Sequence, residues 1–426
     1  MIINPSKLPL NRNSRAILTI LNDGLDLSTL YAQEFKKYFL KNKIRLPSSW
    51  IDLKKHDRVF LIAVGKSAGR MAEFASKKID FDKGLVVIPK GVIPKLKKSI
   101  EIIAAGHPLP NNNSLKAGKN LVSFLNQTAK NDFVLFLISG GGSSLAILPN
   151  SISLRDKILV NQILIRSGAN INEIACIRKH LSLIKGGHLI QNMNCTGISF
   201  LVSDVIGDDI GSISSGITYC DKSTFSDSLK IIKKFSLRQK LPQSAIHVLE
   251  SGLRGKIPET PKKPLIKNIV ILNNIACLSK MKDKSKTLGF KTCVIPNITG
   301  NLNHVTKMLA SVAVNSKNNC IVFGGEPTVN VTGNGKGGRN QELVLRLYEK
   351  LKNQFCNFTI ASIGTDGLDG NTKYAGSIFS TENKHNGHKY LKNNDSSSFF
   401  KKYGGLIETG ITQNNVNDVG VIIRHS

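Results

Sequence analysis

Four short stretches of this chain carry residue types and spacings that could do chemistry on an anion. The first spans 320–347 and reads CIVFGGEPTVNVTGNGKGGRNQELVLRL. An apolar strand runs into Gly324, Gly325 and Glu326, and a glycine-dense loop ending in Gly337 and Gly338 leads to Arg339-Asn340 at the mouth of an amphipathic helix. Glycines let backbone N–H groups crowd an anion, a helix N-terminus adds positive potential, and an arginine supplies a planar donor fork suited to phosphate or carboxylate. This stretch reads as an anion site. The second, Gly65-Lys66-Ser67, follows an apolar run and is half of a phosphate-binding loop. Phe60 stands where the earlier glycine of G-x-x-x-x-G-K-[ST] is required. The lysine suits an anion in the crevice of an open sheet, and equally a solvated helix cap. The third, Ser139-Gly140-Gly141-Gly142-Ser143-Ser144, is a tight turn with exposed amides and flanking hydroxyls.

The fourth device is acidic and occurs twice. Asp204, Asp208 and Asp209 follow one apolar run; Asp366 and Asp369 follow another. Such carboxylates suit a hydrated magnesium ion, and Asp366 or Asp369 could act as a general base. Asx-turns and helix caps use the same residues. Gly333 to Gly338 also matches G-x-G-x-x-G, the dinucleotide fingerprint, although charged and amide residues open the helix where small apolar ones are usual. This leaves NAD(P)H chemistry as an alternative. His385 and His388 lack a third ligand nearby and read as surface residues, and no Ser/His/Asp or Cys/His order stands out.

Elements that must position these residues are legible as alternating apolar runs and helix-length periodic segments. Strands are predicted at 59–64, 85–88, 100–104, 133–138 and 198–202, and helices at 68–78, 114–130, 154–167 and 171–183. Near-continuous apolar strands separated by helices imply a parallel sheet covered on both faces. A Pro- and Lys-rich tract reads as a linker, after which the pattern restarts with strands at 269–272, 292–295, 321–323, 329–331, 359–363 and 419–423 and helices at 275–288 and 305–314. The expectation is therefore an α/β protein of two domains, 1–255 and 268–426, joined by a linker at 256–267, with a cleft between them. The segment 374–417 is polar and weakly patterned, with short helices expected, one of them near 397–403.

Composition excludes several classes. With 41% hydrophobic and 21% charged residues the chain is of ordinary globular character, and no apolar run approaches the roughly 18 residues that span a bilayer. The opening residues lack a leader's apolar core and cleavage site. Seven cysteines without a C-x-x-C suggest reduced thiols and a cytoplasmic setting. A net charge of +30 invites a nucleic-acid reading, but aromatics are 6% and no stacking residues interleave the lysines. Steering of an anionic substrate fits better.

Taken together, the blocks GKSAGRMAEFA, AGHPLPNNNS, LISGGGSSL, IRKHLSLIKGG, SDVIGDDIGSISSG, FGGEPTVNVTGNGKGGRNQE, GTDGLDG and TGITQNNVND make the chain similar to the glycerate 2-kinase family of the MOFRL type over nearly its whole length. The resemblance implies a Rossmann-like N-terminal domain, a smaller α/β MOFRL C-terminal domain and an active site between them. It implies transfer of the γ-phosphoryl of ATP, with magnesium, to a hydroxyl of D-glycerate, typically giving 2-phosphoglycerate, with homodimer formation left open. Lys66 and Arg339 match the lysine and arginine assigned to catalysis. Glu326, Asp204, Asp366 and Asn340 match polar positions lining the cleft. On that mapping Ser139, Gly140, Gly141, Gly142, Ser143, Ser144, Gly325, Gly337 and Gly338 would hold substrate or phosphate, and Asp204, Asp208 and Asp366 the metal. Two departures stand out. A Glu-Gly-Glu-Ala-type block expected near 299–302 reads Thr-Gly-Asn-Leu, and the usual Asp-Thr-Asp-Gly begins with Gly364. Hydroxypyruvate reduction with NAD(P)H is the enzymatic alternative, and nucleic-acid binding the non-enzymatic one.

Overall fold

The computed structural model describes residues 2–8, 11–91, 93–412 and 415–425. Gln413 and Asn414, within the TGITQNNVND block, lie outside them. The chain divides into two compact units, one of Tyr31–Ile271 and one combining Met1–Leu30 with Leu272–Ser426.

In the first unit a six-stranded sheet runs in the spatial order Ile100–Ala105, Lys83–Pro89, Val59–Val64, Phe133–Ser139, Thr196–Val202, Lys267–Leu272. Numbered along the chain this is 3-2-1-4-5-6, the order of a doubly wound α/β sheet, and the first five strands pair in parallel. Val59–Val64 and Phe133–Ser139 are buried at every residue, as the lack of a polar alternation requires of central strands covered on both faces. Their registers align Val59 with Phe133 and Val64 with Ile138, so both strands end level. The connections after both leave in opposite directions here, and that is where a crevice opens in such sheets. Four helices, Leu154–Arg166, Ile171–His180, Phe225–Lys234 and Gln243–Leu253, build a separate apolar core around Leu164, Ile177, Phe225 and Leu249. Side-chain caps start three of them: Ser153, Asn170 with Glu173, and Thr224 with Asp227.

The second unit holds a mixed six-stranded sheet in the order Thr292–Asn301, Cys320–Thr328, Asp418–Arg424, Phe358–Gly364, Gly376–Ser380, Leu406–Ile407. Only its first pair is parallel. The chain's first long helix, Arg12–Leu25, is capped by Asn11 and lies against the helix Asn274–Thr287, with Ile17 and Leu21 fully buried.

Four features differ from the sequence reading. The strand expected to open the second domain at 269–272 instead adds to the edge of the parallel sheet, and the N-terminal helix belongs with the C-terminal unit. Both are long-range pairings, and a local pattern does not specify its partner. No strand forms at 329–331; the preceding strand ends at Thr328 and irregular chain follows. Conversely, Gly376–Ser380 is a fully buried strand inside the segment read as polar, its short Gly-Ser-Ile-Phe-Ser run being too brief and too hydroxyl-rich to register as apolar.

Leu21→Ala should cost about 2–5 kcal/mol in a denaturant titration, as truncation of a fully buried leucine does. Hydrogen exchange should then show lost protection in Asn274–Thr287 while Val59–Val64 stays protected. Loosening confined to the parallel sheet would contradict the assignment of this helix.

Candidate active site

At the end of Val59–Val64 the chain turns through Gly65 and Lys66 and enters the helix Ala68–Ser76. The neighbouring strand ends in the Ser139–Gly142 turn, and the two turns are stitched together. The Lys66 amide donates to the Gly140 carbonyl (2.9 Å) and the Ser67 amide to Ser139 Oγ (3.0 Å). Ser214 Oγ donates to the Ser139 carbonyl (2.6 Å) and accepts from the Gly142 amide (3.1 Å), while Lys185 Nζ donates to the Ser143 carbonyl (2.6 Å). Gly141 has φ +86°, which favours glycine; a Cβ there would lie 3.1 Å from both Lys66 Cγ and His107 Cδ2. The structure therefore brings Lys66, Gly140, Gly141 and His107 together at the switch point of the sheet, and half-buries the lysine. Ser144 begins the exit from the turn, its amide donating to the Gly141 carbonyl.

In the other unit Arg339 opens the helix Arg339–Leu351 and is held by two carboxylates. Its Nε and Nη2 donate to the two oxygens of Asp418, a bidentate pairing, and Nη1 donates to Glu326 Oε1 (2.9 Å). Asp418 is buried at the start of a central strand, and burial pushes its carboxyl up to about 6 against the opposing pull of the Arg339 guanidinium. Burial would lower the arginine too, but Asp418 and Glu326 together raise it, so it is always charged.

Two expectations for the glycine loop are corrected here. The amides of 332–337 do not form an open anion cradle: Thr332 and Gly333 donate to Asn394 Oδ1, Asn334 to Asn393 Oδ1, Gly335 to the Asn393 carbonyl, Lys336 to Asp395 Oδ1 and Gly337 to Asn371 Oδ1. The helix N-terminus is likewise satisfied from within. Asp369, fully buried, accepts from the amides of Asn340 (3.0 Å) and Gln341 (2.9 Å), and a Cβ on Gly338 would strike its carboxylate at 2.3 Å. Burial raises the Asp369 carboxyl while those amides hold it down. Asn340 is also buried, donating to Asp369 and accepting from Ser362 Oγ, so it braces the site instead of lining it. Gly325 sits at the register shift between Ile295 and Ile298, its backbone pressed against Ile298. Asp418 was missed in the sequence; its signal was the last residue of the TGITQNNVND block.

Asp366 caps its own turn, accepting from the Leu368 amide (3.1 Å). Asp204 and Asp208 are both part-buried, Asp208 with φ +56°. Among the described residues no three His, Cys, Asp or Glu side chains gather into a metal cage. His385 stacks on Tyr403 and His388 faces Glu349 (3.0 Å), as surface residues do. Among the described residues, no helix is long and apolar enough to cross a membrane.

A doubly wound α/β unit whose switch point gathers a lysine and a triple-glycine turn, accompanied by a mixed-sheet unit with an anchored arginine, defines an α/β protein of two units. Comparison with known proteins narrows the class. Residues 27–250 match a domain of unknown function (DUF4147), and residues 319–418 match the MOFRL family. A glycerate 2-kinase of Pyrococcus horikoshii is 36% identical over 86% of this chain and 87% of its own. A putative hydroxypyruvate reductase of Agrobacterium vitis is 33% identical over 86% and 87%. The crystal structure of a glycerate kinase from Thermotoga maritima superposes with a TM-score of 0.80 at 33% identity, covering 96% of this chain and 99% of that one. The chain belongs to the glycerate 2-kinase family of the MOFRL type.

A carboxyl whose folded pKa lies above its unfolded value takes up a proton on folding between the two values. Its contribution therefore favours folding increasingly as pH falls through about 6 toward the ordinary carboxylate range, and is a penalty above it. Asp418→Asn removes that contribution, so wild type should gain stability relative to the variant as pH is lowered from 7.5 to 5. Thermal unfolding of both proteins across that range reads the difference; parallel curves would show that Asp418 titrates normally.

Proposed function

We propose that this chain is an ATP-dependent kinase that phosphorylates D-glycerate, with the 2-hydroxyl as acceptor. The observation that carries this reading is the stitched pair of turns, Gly65-Lys66-Ser67 against Ser139-Gly140-Gly141, at the switch point of a doubly wound sheet in a member of this family. Phosphoryl transfer asks the protein mainly for positioning and for neutralisation of charge on the moving group. Lys66 supplies a point charge from a turn whose amides are held by the Gly140 carbonyl and Ser139 Oγ. Arg339 supplies a guanidinium whose orientation Asp418 and Glu326 set before substrate arrives. Ser139, Gly140, Gly141, Gly142, Ser143 and Ser144 form the wall that faces the anionic reactants.

Magnesium fits as an ion borne by the nucleotide. It needs only one or two carboxylates alongside phosphate and water oxygens, and Asp204, Asp208 and Asp366 would offer such oxygens, with no three-ligand cage among the described residues. When bound it supplies charge neutralisation on the phosphate oxygens. The hydroxyl proton passes to one of these three carboxylates as the bond from oxygen to phosphorus forms and that from phosphorus to the β,γ-bridging oxygen breaks, releasing ADP.

The reductase alternative draws on the G-x-G-x-x-G match. With its amides donated to Asn371, Asn393, Asn394 and Asp395, that loop has no cradle to offer a pyrophosphate.

Lys66→Ala and Arg339→Ala should each lower kcat for ADP release with D-glycerate by about 10²–10³-fold, the scale seen when one preorganised donor is removed. Near-native turnover in either variant refutes that residue's role. Wild-type protein given hydroxypyruvate and NAD(P)H without ATP should leave cofactor absorbance unchanged.

A further inference from the structure

Buried charge in the unit Tyr31–Ile271 is distributed unevenly. Lys157, on the helix Leu154–Arg166, and Lys185, in the turn that follows Ile171–His180, are each only 2% exposed, and Arg178 is partly buried. Lys157 Nζ and Arg178 Nε donate to the same atom, Asn161 Oδ1, at 3.0 and 2.9 Å. Lys185 Nζ donates to the Ser143 carbonyl at 2.6 Å, which places it against the triple-glycine turn. None of the three has a carboxylate within ion-pair distance among the described residues.

Carboxylates near in sequence or space are already committed. Asp221 pairs with Lys179 (3.3 Å) and accepts from Ser223 Oγ, Glu259 accepts from His180 and Lys262, and Asp156 accepts from Ser244 Oγ. Each ammonium has three protons and each guanidinium five N–H donors, so most donors of this trio have no acceptor in the protein. Asn161 and Ser143 offer neutral oxygens, which orient the heads and cancel no charge. Cations taken out of water in this way are costly unless an anion answers them.

We propose that Lys157, Arg178 and Lys185 form an oxyanion-binding site beside the Ser139–Ser144 turn, taking a carboxylate or phosphoryl group of a reactant. The identity of the reactants rests on the kinase reading above; the site itself does not. Burial lowers Lys157 to about 7, with repulsion from Arg178 adding to it, and Lys185 is lowered for the same reasons by burial, Lys157 and Arg178. A bound anion is the partner that restores their charge. Two oxyanions meet this chemistry, the carboxylate of glycerate and a phosphate of the nucleotide.

The test uses intact wild type, Lys157→Met and Arg178→Gln. Methionine fills the lysine's volume and removes an unpaired buried charge, so Lys157→Met should fold at least as stably as wild type. If it does not fold, Arg178→Gln, at a less buried position, carries the comparison. Thermal unfolding is followed with D-glycerate alone and with inorganic phosphate alone. Wild type should be stabilised by one of them, and the folded variants should lose that shift. A shift with glycerate assigns the site to the acceptor's carboxylate, and a shift with phosphate to a nucleotide phosphoryl. Steady-state kinetics should show KM for the same reactant raised about 10–100-fold, the loss of a charge-assisted contact, with the other KM nearly unchanged. No shift in wild type with either anion, or full shifts retained in the variants, overturns the site. Absence of turnover in wild type with the shifts intact would sink the kinase reading and leave the site standing. Normal turnover with both KM values unchanged in the variants would do the reverse.

Discussion

The constraint on which this molecule turns is that a charge removed from water must be answered. In the mixed-sheet unit two charges at the mouth of a helix, Arg339 and Asp369, have their answer inside the protein. Arg339 faces Asp418 and Glu326, and Asp369 takes the helix amides that Arg339–Leu351 would otherwise leave bare. These contacts hold the guanidinium in one direction. In the parallel-sheet unit Lys157, Arg178 and Lys185 have only neutral oxygen partners among the described residues, which is the basis of the anion site proposed there.

The parallel sheet decides where chemistry can take place. Two fully buried strands end level with their connections diverging, the point where a crevice opens in such sheets, and hydrogen bonds from the Lys66 and Ser67 amides tie the first turn to the next. Gly141 is glycine because its φ is positive and because the Lys66 stem and the His107 ring lie against it. The residues at 299–302, Thr-Gly-Asn-Leu, have a local consequence as well. Thr299 pairs with Glu326 across the parallel strands, so Glu326 faces no competing carboxylate from that neighbour and remains available to Arg339.

Legibility in the sequence followed the range of the interaction. The strand Val59–Val64 and the starts of the helices Ala68–Ser76, Leu154–Arg166 and Ile171–His180 were readable, because apolar runs and capping residues act over a few positions. The glycine loop before Arg339 was readable as special but misread in purpose. Its glycines allow the chain segments around Asn393 and Asp369 to approach closely, and those partners lie 29 to 62 residues away. Asn340 was singled out as a liner of the site for the same reason: its type suggests polarity, and only its neighbours reveal that it is buried.

By itself the sequence determined the α/β class and the family, since hydrophobic period, turn chemistry and residue type are local properties of a chain. Tertiary structure alone decided that Lys267–Leu272 completes the parallel sheet, that Arg12–Leu25 belongs with the C-terminal unit, and that Asp418 is the partner of Arg339. It also decided which buried cations were left unanswered. Each of these depends on which distant segments share a surface, and the cost of an unpaired charge or an uncovered edge exists only once that surface has formed.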